Sequence, residues 1–474
     1  MRGRAARSTV AAAAVGALLL GAAPAGAAEG PPATPGTQQV LYVANNWDGT
    51  ADLVDQESFQ VLKRLNLVPD LEERMAEIST DPERLAYFLA IRQFIGEGND
   101  QFADDMYTSR DGRTVYVSRP SLADVVGIDI ASGEVVWRFP MEGQRSDHMG
   151  MSPDGRTLAV SDSTANKVHL LDAATGEKVG EFPSGDSPHE NTYSRDGSTL
   201  YHASIGLVYT PLDQPAFDTT KGERILALVD TETLDVDLRD LADDVAALND
   251  GDPSNDPPIV GEGRPDSSAV RPMAVPPGEE VLYLQLSFFH GYVVYDIAQD
   301  AIVQVVNLPN LVPDVPREQY LLDSAHHGLA IDPTGEKLCV AGTMSDYAAV
   351  VPVDDPLGGM TMVQGITKPY WSTNSGDGEH CFVSASGDDE VVVLSYATGA
   401  EVTRIPVGDH PQRMRLGLIA TDLLAAETPA TAVPARPAAP GTAARTLAAT
   451  GWPLAAPAAL VLVAAAAVVR RRRR

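Results

Sequence analysis

Six times the chain repeats one phrase: a short apolar segment, a tight turn carrying glycine, and a second apolar segment. The turns are Asp111-Gly112, Asp154-Gly155, Asp196-Gly197, Pro277-Gly278, Thr334-Gly335 and Asp377-Gly378. Where no insertion intervenes, the glycines are 43, 42 and 43 residues apart: Gly112 to Gly155, Gly155 to Gly197, and Gly335 to Gly378. A two-residue hairpin needs positive φ, which Gly and Asp tolerate, so each phrase reads as strand, turn, strand. Several short strands in a unit repeated about every forty residues predict an all-β architecture, the β-propeller.

Seven blades account for residues 38–424. They are Val40 to Leu67, Phe102 to Met141, Ser146 to Gly185, Pro188 to Val245, Val270 to Leu308, His326 to Ile366, and Pro369 to Val407. The third shows four strands: Met149 to Met151, Thr157 to Val160, Val168 to Asp172 and Lys178 to Phe182. The first blade lacks an innermost strand, and His410 to Ile419 is the segment left to supply it. Closure by both termini leaves no open sheet edge in the ring. The long insertions (Asn66 to Gln101, Gly206 to Gly222, Ala246 to Ser268, Pro309 to Asp323) all fall in connections that share one face, here called upper. The first contains a helix capped by Asp81, with Pro82 in its first turn and Gly96 at its end. Leu85, Phe88, Leu89 and Ile95 form its expected buried stripe, with Ile91 at the margin. Such a helix belongs on the rim or over the channel mouth.

The chain ends carry their own signals. Arg2, Arg4 and Arg7, the apolar run Val10 to Leu20, and small residues at Ala25-Gly26-Ala27 read as a signal peptide over residues 1–28. At the other end, Leu447-Ala448-Ala449-Thr450-Gly451 precedes an apolar run from Trp452 to Val469 and five arginines, Arg470 to Arg474. This resembles the cell-wall sorting signal of Gram-positive surface proteins, with Ala where the commoner form has Pro. The resemblance implies that a sortase cuts between Thr450 and Gly451 and joins Thr450 to peptidoglycan. Eighteen apolar residues reach roughly 27 Å as a helix, enough to hold the tail in a bilayer before processing. The arginines favour the cytoplasmic side; a permanent single-span anchor is the alternative. Ala425 to Thr446, rich in Ala, Pro and Thr, reads as an extended linker that spans the wall. The expected location is therefore the surface of a Gram-positive cell.

Formal charge is −30, and the two ends hold eight arginines and no acid within residues 1–28 and 447–474. A processed chain is nearer −38, which argues against nucleic acid and anionic lipid as partners.

Phrases such as Ser152-Pro153-Asp154-Gly155-Arg156-Thr157-Leu158-Ala159-Val160, and Asp172 to Gly176, resemble the YVTN-repeat propellers. That group includes the quinohaemoprotein amine dehydrogenase β-chain-like and lactonase-like propellers. The resemblance implies architecture and leaves activity open. No Cys-x-x-Cys-His motif, nucleophile elbow, P-loop or dinucleotide fingerprint occurs. Cys339 and Cys381 fall in the second strands of consecutive blades, one position apart when aligned on their turns. Their side chains thus leave opposite sheet faces. Both an interblade disulfide and two buried thiols fit that geometry.

Counting seven back from each turn gives Asp104, Asp147, His189, Val270, His327 and Tyr370; the next positions are Asp105, His148, Glu190, Arg271, Gly328 and Trp371. His410 begins the closing strand and His326 flanks His327. Five of the nine histidines thus sit at blade entrances. One reading places a transition metal on His148, His189, His327 and His410 with Asp147 or Glu190, as in a metal-dependent, lactonase-like hydrolase. A second makes the same residues, with Arg271, Tyr370 and Trp371, a binding site for a small ligand or partner protein without turnover. A third has them only bind water and hold the blades in register. Binding at the upper face is the favoured reading, and the hydrolase is the alternative. Asn249 to Asp256 offers oxygen ligands for Ca²⁺ but lacks EF-hand spacing, and reads first as a solvated loop.

Overall fold

The computed structural model describes residues 30–208, 220–239, 241 and 269–425. The signal peptide, nearly all of the linker, the sorting motif with its apolar run, and the Asn249 to Asp256 loop lie outside them. Among the described residues no helix is long and apolar enough to cross a membrane.

Seven four-stranded antiparallel sheets form the ring. Six follow the chain in order. The first combines Pro411–Ala420 with Thr37–Asn45, Thr50–Val54 and Val61–Asn66. Tyr42 pairs with Arg415 and Gln38 with Ile419, so the C-terminal strand closes the ring at blade 1. The Tyr42 hydroxyl adds a side-chain lock, donating to the Leu418 carbonyl at 2.9 Å. Neighbouring blades share their cores: Val40, Leu53 and Ile419 of blade 1 pack with Val117 and Ile128 of blade 2. Burying each such side chain is worth about 1.5–3 kcal/mol, so the stabilising surface lies between sheets.

The hairpin glycines behave as the sequence predicts at five turns, with φ from +66° at Gly112 to +77° at Gly335. Blade 5 departs. There Glu279, not Gly278, has positive φ (56°), and its N–H donates to the Pro276 carbonyl as Gly155 N–H does to Ser152. Pro276-Pro277 begins the turn one residue later, which moves the blade's alignment by one position.

The first insertion holds two helices rather than one: α1, Leu71–Thr80, and α2, Pro82–Ala90. Asp81 caps α2, accepting from the backbone of Glu83 and Arg84, and one wider π turn, Ile91–Ile95, carries the helix to Gly96. Ile91 is buried (4% exposed), whereas Leu89 faces solvent (48%), correcting the predicted assignment. The insertion is tied down by Arg119, whose guanidinium bridges Asp124 and Asp70. Its far end reaches blade 7 through Glu97, 2.7 Å from Lys368 Nζ. A disulfide joins Cys339 in blade 6 to Cys381 in blade 7, with Cα atoms 6.4 Å apart.

Candidate functional site

In five blades the innermost strand starts against its neighbour, loses register, and resumes. Ser146 pairs with Asp162, then Met149 with Val160; Pro188 with Ser204, then Asn191 with His202; Val270 with Leu286, then Met273 with Leu284. In blade 1 the same gap lies between Pro411 and Met414, and blade 7 has a shift after Pro369. Bulged residues leave the ladder and re-aim their side chains. They are Asp147-His148, His189-Glu190, Arg271-Pro272 and Gln412-Arg413, with Tyr370-Trp371 equivalent in blade 7. Corrected for the blade 5 turn, Arg271 therefore joins Asp104, Asp147, His189, His327 and Tyr370 in one axial layer. Arg413 joins Asp105, His148, Glu190 and Trp371 in the next.

Most of the predicted residues do meet. His148 and His189 have ring centroids 3.6 Å apart, His189 and His327 5.8 Å, and His327 stacks on Tyr370 at 4.1 Å. Trp371 lies 6.4 Å from His148. Glu190 Oε2 is 3.1 Å from His148 Nδ1, and Asp147 Oδ1 is 3.3 Å from His148 Nε2. Arg271 donates to Ser287 Oγ at 3.0 Å and to the Leu322 carbonyl at 2.6 Å. All of these residues are buried.

His410 does not join them. It stacks on Trp47, centroids 3.7 Å apart and planes 2° from parallel. Its backbone has φ +59°, like Ser187 and Lys368, which also stand immediately before a strand-initiating proline. That position turns the residue away before the strand begins. His326 is likewise off the axis, against Tyr347 and His290.

Arg413 is the residue that counting from turns missed, because blade 1 has no hairpin after its innermost strand. The signal was present in Pro188-His189-Glu190, Pro369-Tyr370-Trp371 and Pro411-Gln412-Arg413, which align on proline. Its guanidinium lies 3.9 Å over the Trp371 ring, a cation–π contact, and touches His148. Asp104 and Glu190 stand 3.8 Å from it. Arg415 flanks Trp371 at 5.1 Å and is neutralised by a two-point pair with Asp105 at 2.9 Å.

Burial dominates the electrostatics. It holds His148, His189 and His327 far below the ordinary histidine range, reinforced chiefly by Arg413 at His148 and His327 and by Arg271 at His189. It pushes Asp104 and Glu190 up to about 7, with Asp147 adding to Asp104 and Arg413 opposing the rise in both. The His327 Nδ1 lies 3.2 Å from the Tyr370 carbonyl, so the neutral ring donates there and leaves Nε2 as an acceptor. Among the described residues, seven buried atoms here have no hydrogen-bond partner: Arg413 Nε and Nη1, Trp371 Nε1, Ser372 Oγ, Asp104 Oδ2, His189 Nδ1 and His327 Nε2.

The predicted four-histidine metal set does not assemble, since His410 is elsewhere. Asp147, His148 and His189 do offer ligand atoms within 4.8 Å of one another. The permanent charge of Arg413 against His148 opposes a cation at that spot.

Among the described residues, one cavity that reaches this cluster lies at the lower end. It holds about 690 Å³, with Glu190, Trp371 and Arg415 in its wall.

No family model and no curated protein matches the chain. Solved structures similar to it include Kuenenia stuttgartiensis hydrazine synthase, 15% identical with a TM-score of 0.46, the match covering 65% of this chain and 88% of that one. Another is the Myceliophteria thermophila Cps50 (Swd1) β-propeller domain, 12% identical with a TM-score of 0.44, covering 64% and 86%. Neither likeness carries a functional argument.

Proposed function

We propose that this protein is a surface-displayed β-propeller of the YVTN-repeat kind that holds a small anionic ligand on its axis, against Arg413 and Trp371. The carrying observation is the buried guanidinium of Arg413, whose Nε and Nη1 lack hydrogen-bond partners while Trp371 Nε1 and Ser372 Oγ beside it are also unmatched. Asp104 and Glu190 balance the charge from 3.8 Å but do not hydrogen-bond these two donors, and buried N–H groups without acceptors are costly, so a carboxylate or phosphate oxygen relieves them. The neutral imidazoles add orientation without adding repulsion for a further donor. Nothing in this arrangement requires turnover.

Isothermal titration of the purified protein with acetate, phosphate and sulfate tests the reading. At least one anion should bind, and Arg413→Met should weaken it about 10–100-fold, the range of a lost charge-assisted hydrogen bond. Absence of binding, or equal affinity in the variant, rejects it.

The Asp147, His148 and His189 donor set supports a second reading, the metal-dependent lactonase-like hydrolase. Its check is elemental analysis of purified protein: stoichiometric zinc, copper or iron lost in His189→Ala favours it over the anion site. Wall attachment is supported by the Leu447 to Gly451 motif, the following apolar run and the terminal arginines. Mass spectrometry of digested cell wall should find Thr450 linked to a peptidoglycan fragment; protein recovered only with Arg474 intact contradicts attachment.

A further inference from the structure

The lower cavity is more than free space beneath the axial cluster. Its rim is built from the hairpin-turn end of the blades, with Arg110, Pro153, Arg195 and Glu279. Its inner wall contains Trp371 and Ser372, whose Nε1 and Oγ are buried and unpaired. Glu190 and Trp371 belong to both the cavity and the cluster, so the two are adjoining chambers. Gly30-Pro31-Pro32, the first described residues of the chain, line the same space.

That segment is seated by a few specific contacts. Gln39 Nε2 donates to the Pro31 carbonyl at 3.0 Å. The Thr37 N–H donates to the Thr34 carbonyl at 2.9 Å, turning the chain into blade 1. Gly30 has φ +73°, and a Cβ there would stand 2.6 Å from Leu416 Cβ on the closing strand. Only glycine meets both demands without displacement. Two consecutive prolines keep the segment stiff and unable to donate to a sheet. It is held as a strap rather than as a strand.

We propose that the cavity is the entrance chamber of the axial site, admitting small anions from the lower face, and that Gly30 to Pro32 is a displaceable strap across it. The physiological meaning rests on the axial binding reading; the strap itself does not. Arg110, Arg195 and Arg415 line this chamber against Glu190 and Glu279, so its wall carries no net negative charge in a chain of net charge −30 and does not repel an anion as the rest of the surface does. A volume of about 690 Å³ suits a small molecule and excludes a folded partner. Past the rim arginines, Trp371 Nε1 and Ser372 Oγ are donors in the inner wall with no partner of their own.

The test uses the full chain with Ser372→Cys, which adds one free thiol because Cys339 and Cys381 are joined. The probes are sulfonatoethyl methanethiosulfonate and its trimethylammonium analogue. With the strap intact, modification should be slow; adding Gly30→Val should accelerate it at least about tenfold, as expected when a local closure is lost. The anionic reagent should react faster than the cationic one. Equal rates with and without Gly30→Val, a thiol inert in both, or faster reaction with the cation each overturn the proposal. Thr373→Cys, in the same wall, repeats the measurement should Ser372→Cys fail to fold. No ligand is needed for this readout, so failed anion titration and failed strap release are separate results.

Discussion

His148, His189 and His327 stay neutral on folding because burial and the guanidiniums of Arg413 and Arg271 oppose another positive charge. Glu190 beside them runs the other way, its carboxyl pushed up to about 7 by burial. The two effects have opposite signs in stability. A histidine with a lowered folded pKa stabilises fully above its unfolded value near 6.5 and loses that contribution as pH falls. A carboxyl with a raised pKa binds its proton more tightly when folded, so its contribution is present at low pH and lost as pH rises toward 7. Glu190 therefore offsets part of the histidines' acid sensitivity. In Glu190→Gln the loss of stability between roughly pH 7 and 4.5 should steepen by about 1.4 kcal/mol per pH unit. Urea unfolding at four pH values checks this, and parallel pH profiles for the two proteins contradict it. Which histidines converge was readable from residue spacing only in part. His189 and His327 share one register and His148 occupies the next, both reached by counting from the turns, whereas His410 precedes a proline at positive φ, and no hairpin marks Arg413.

Among the elements, the closing strand and the hairpin turns depend on each other. Gly112 sits at φ +66°, and a Cβ on it would meet the backbone of Ile419 and Ala420 at 2.6 Å. Gly133, in the outer turn of the same blade, has φ +72° and open space around it. Gly133→Ala should thus cost about 1–2 kcal/mol, the left-handed backbone penalty alone. Gly112→Ala should cost about 2–4 kcal/mol, because rigid main chain of the closing strand must also move. Equal losses in denaturant unfolding would show that the strand is not seated on this turn. The turns themselves were legible because glycine at a hairpin has one physical cause. Helix α1 escaped that reading: Leu71, Met75 and Ile78 stand at helical spacing, but Asp70 gives it no side-chain cap to mark its start. The exposure of Leu89 in α2 escaped it too, since apolar residues at adjoining positions leave the edge of a buried stripe undefined. The blade 5 shift was hidden by Pro277-Gly278, which imitates the other turns while Glu279 takes the left-handed position.

Across the whole molecule, ring closure converts short local repeats into one shared axis. Residues 42 or 43 apart in sequence, such as Asp147 and His189 or His327 and Tyr370, become neighbours because successive blades present equivalent positions at the start of their innermost strands to the centre. Seven blades, their order and closure by the C-terminal strand follow from period and from the strand missing before Val40. The cavity at the lower end could not be read that way, because it is lined by Gly30 to Pro32 and by strand residues around Trp371 that no repeat marks. The central claim is that the axis is built to hold an anion at Arg413. The direct measurement is a high-resolution crystal structure of the protein soaked in the tightest-binding anion from titration. The account predicts oxyanion density within hydrogen-bonding distance of Arg413 Nε or Nη1, beside Trp371; an axis holding only water, or Asp104 and Glu190 drawn in from 3.8 Å to hydrogen-bond Arg413 Nε and Nη1 themselves, would contradict it.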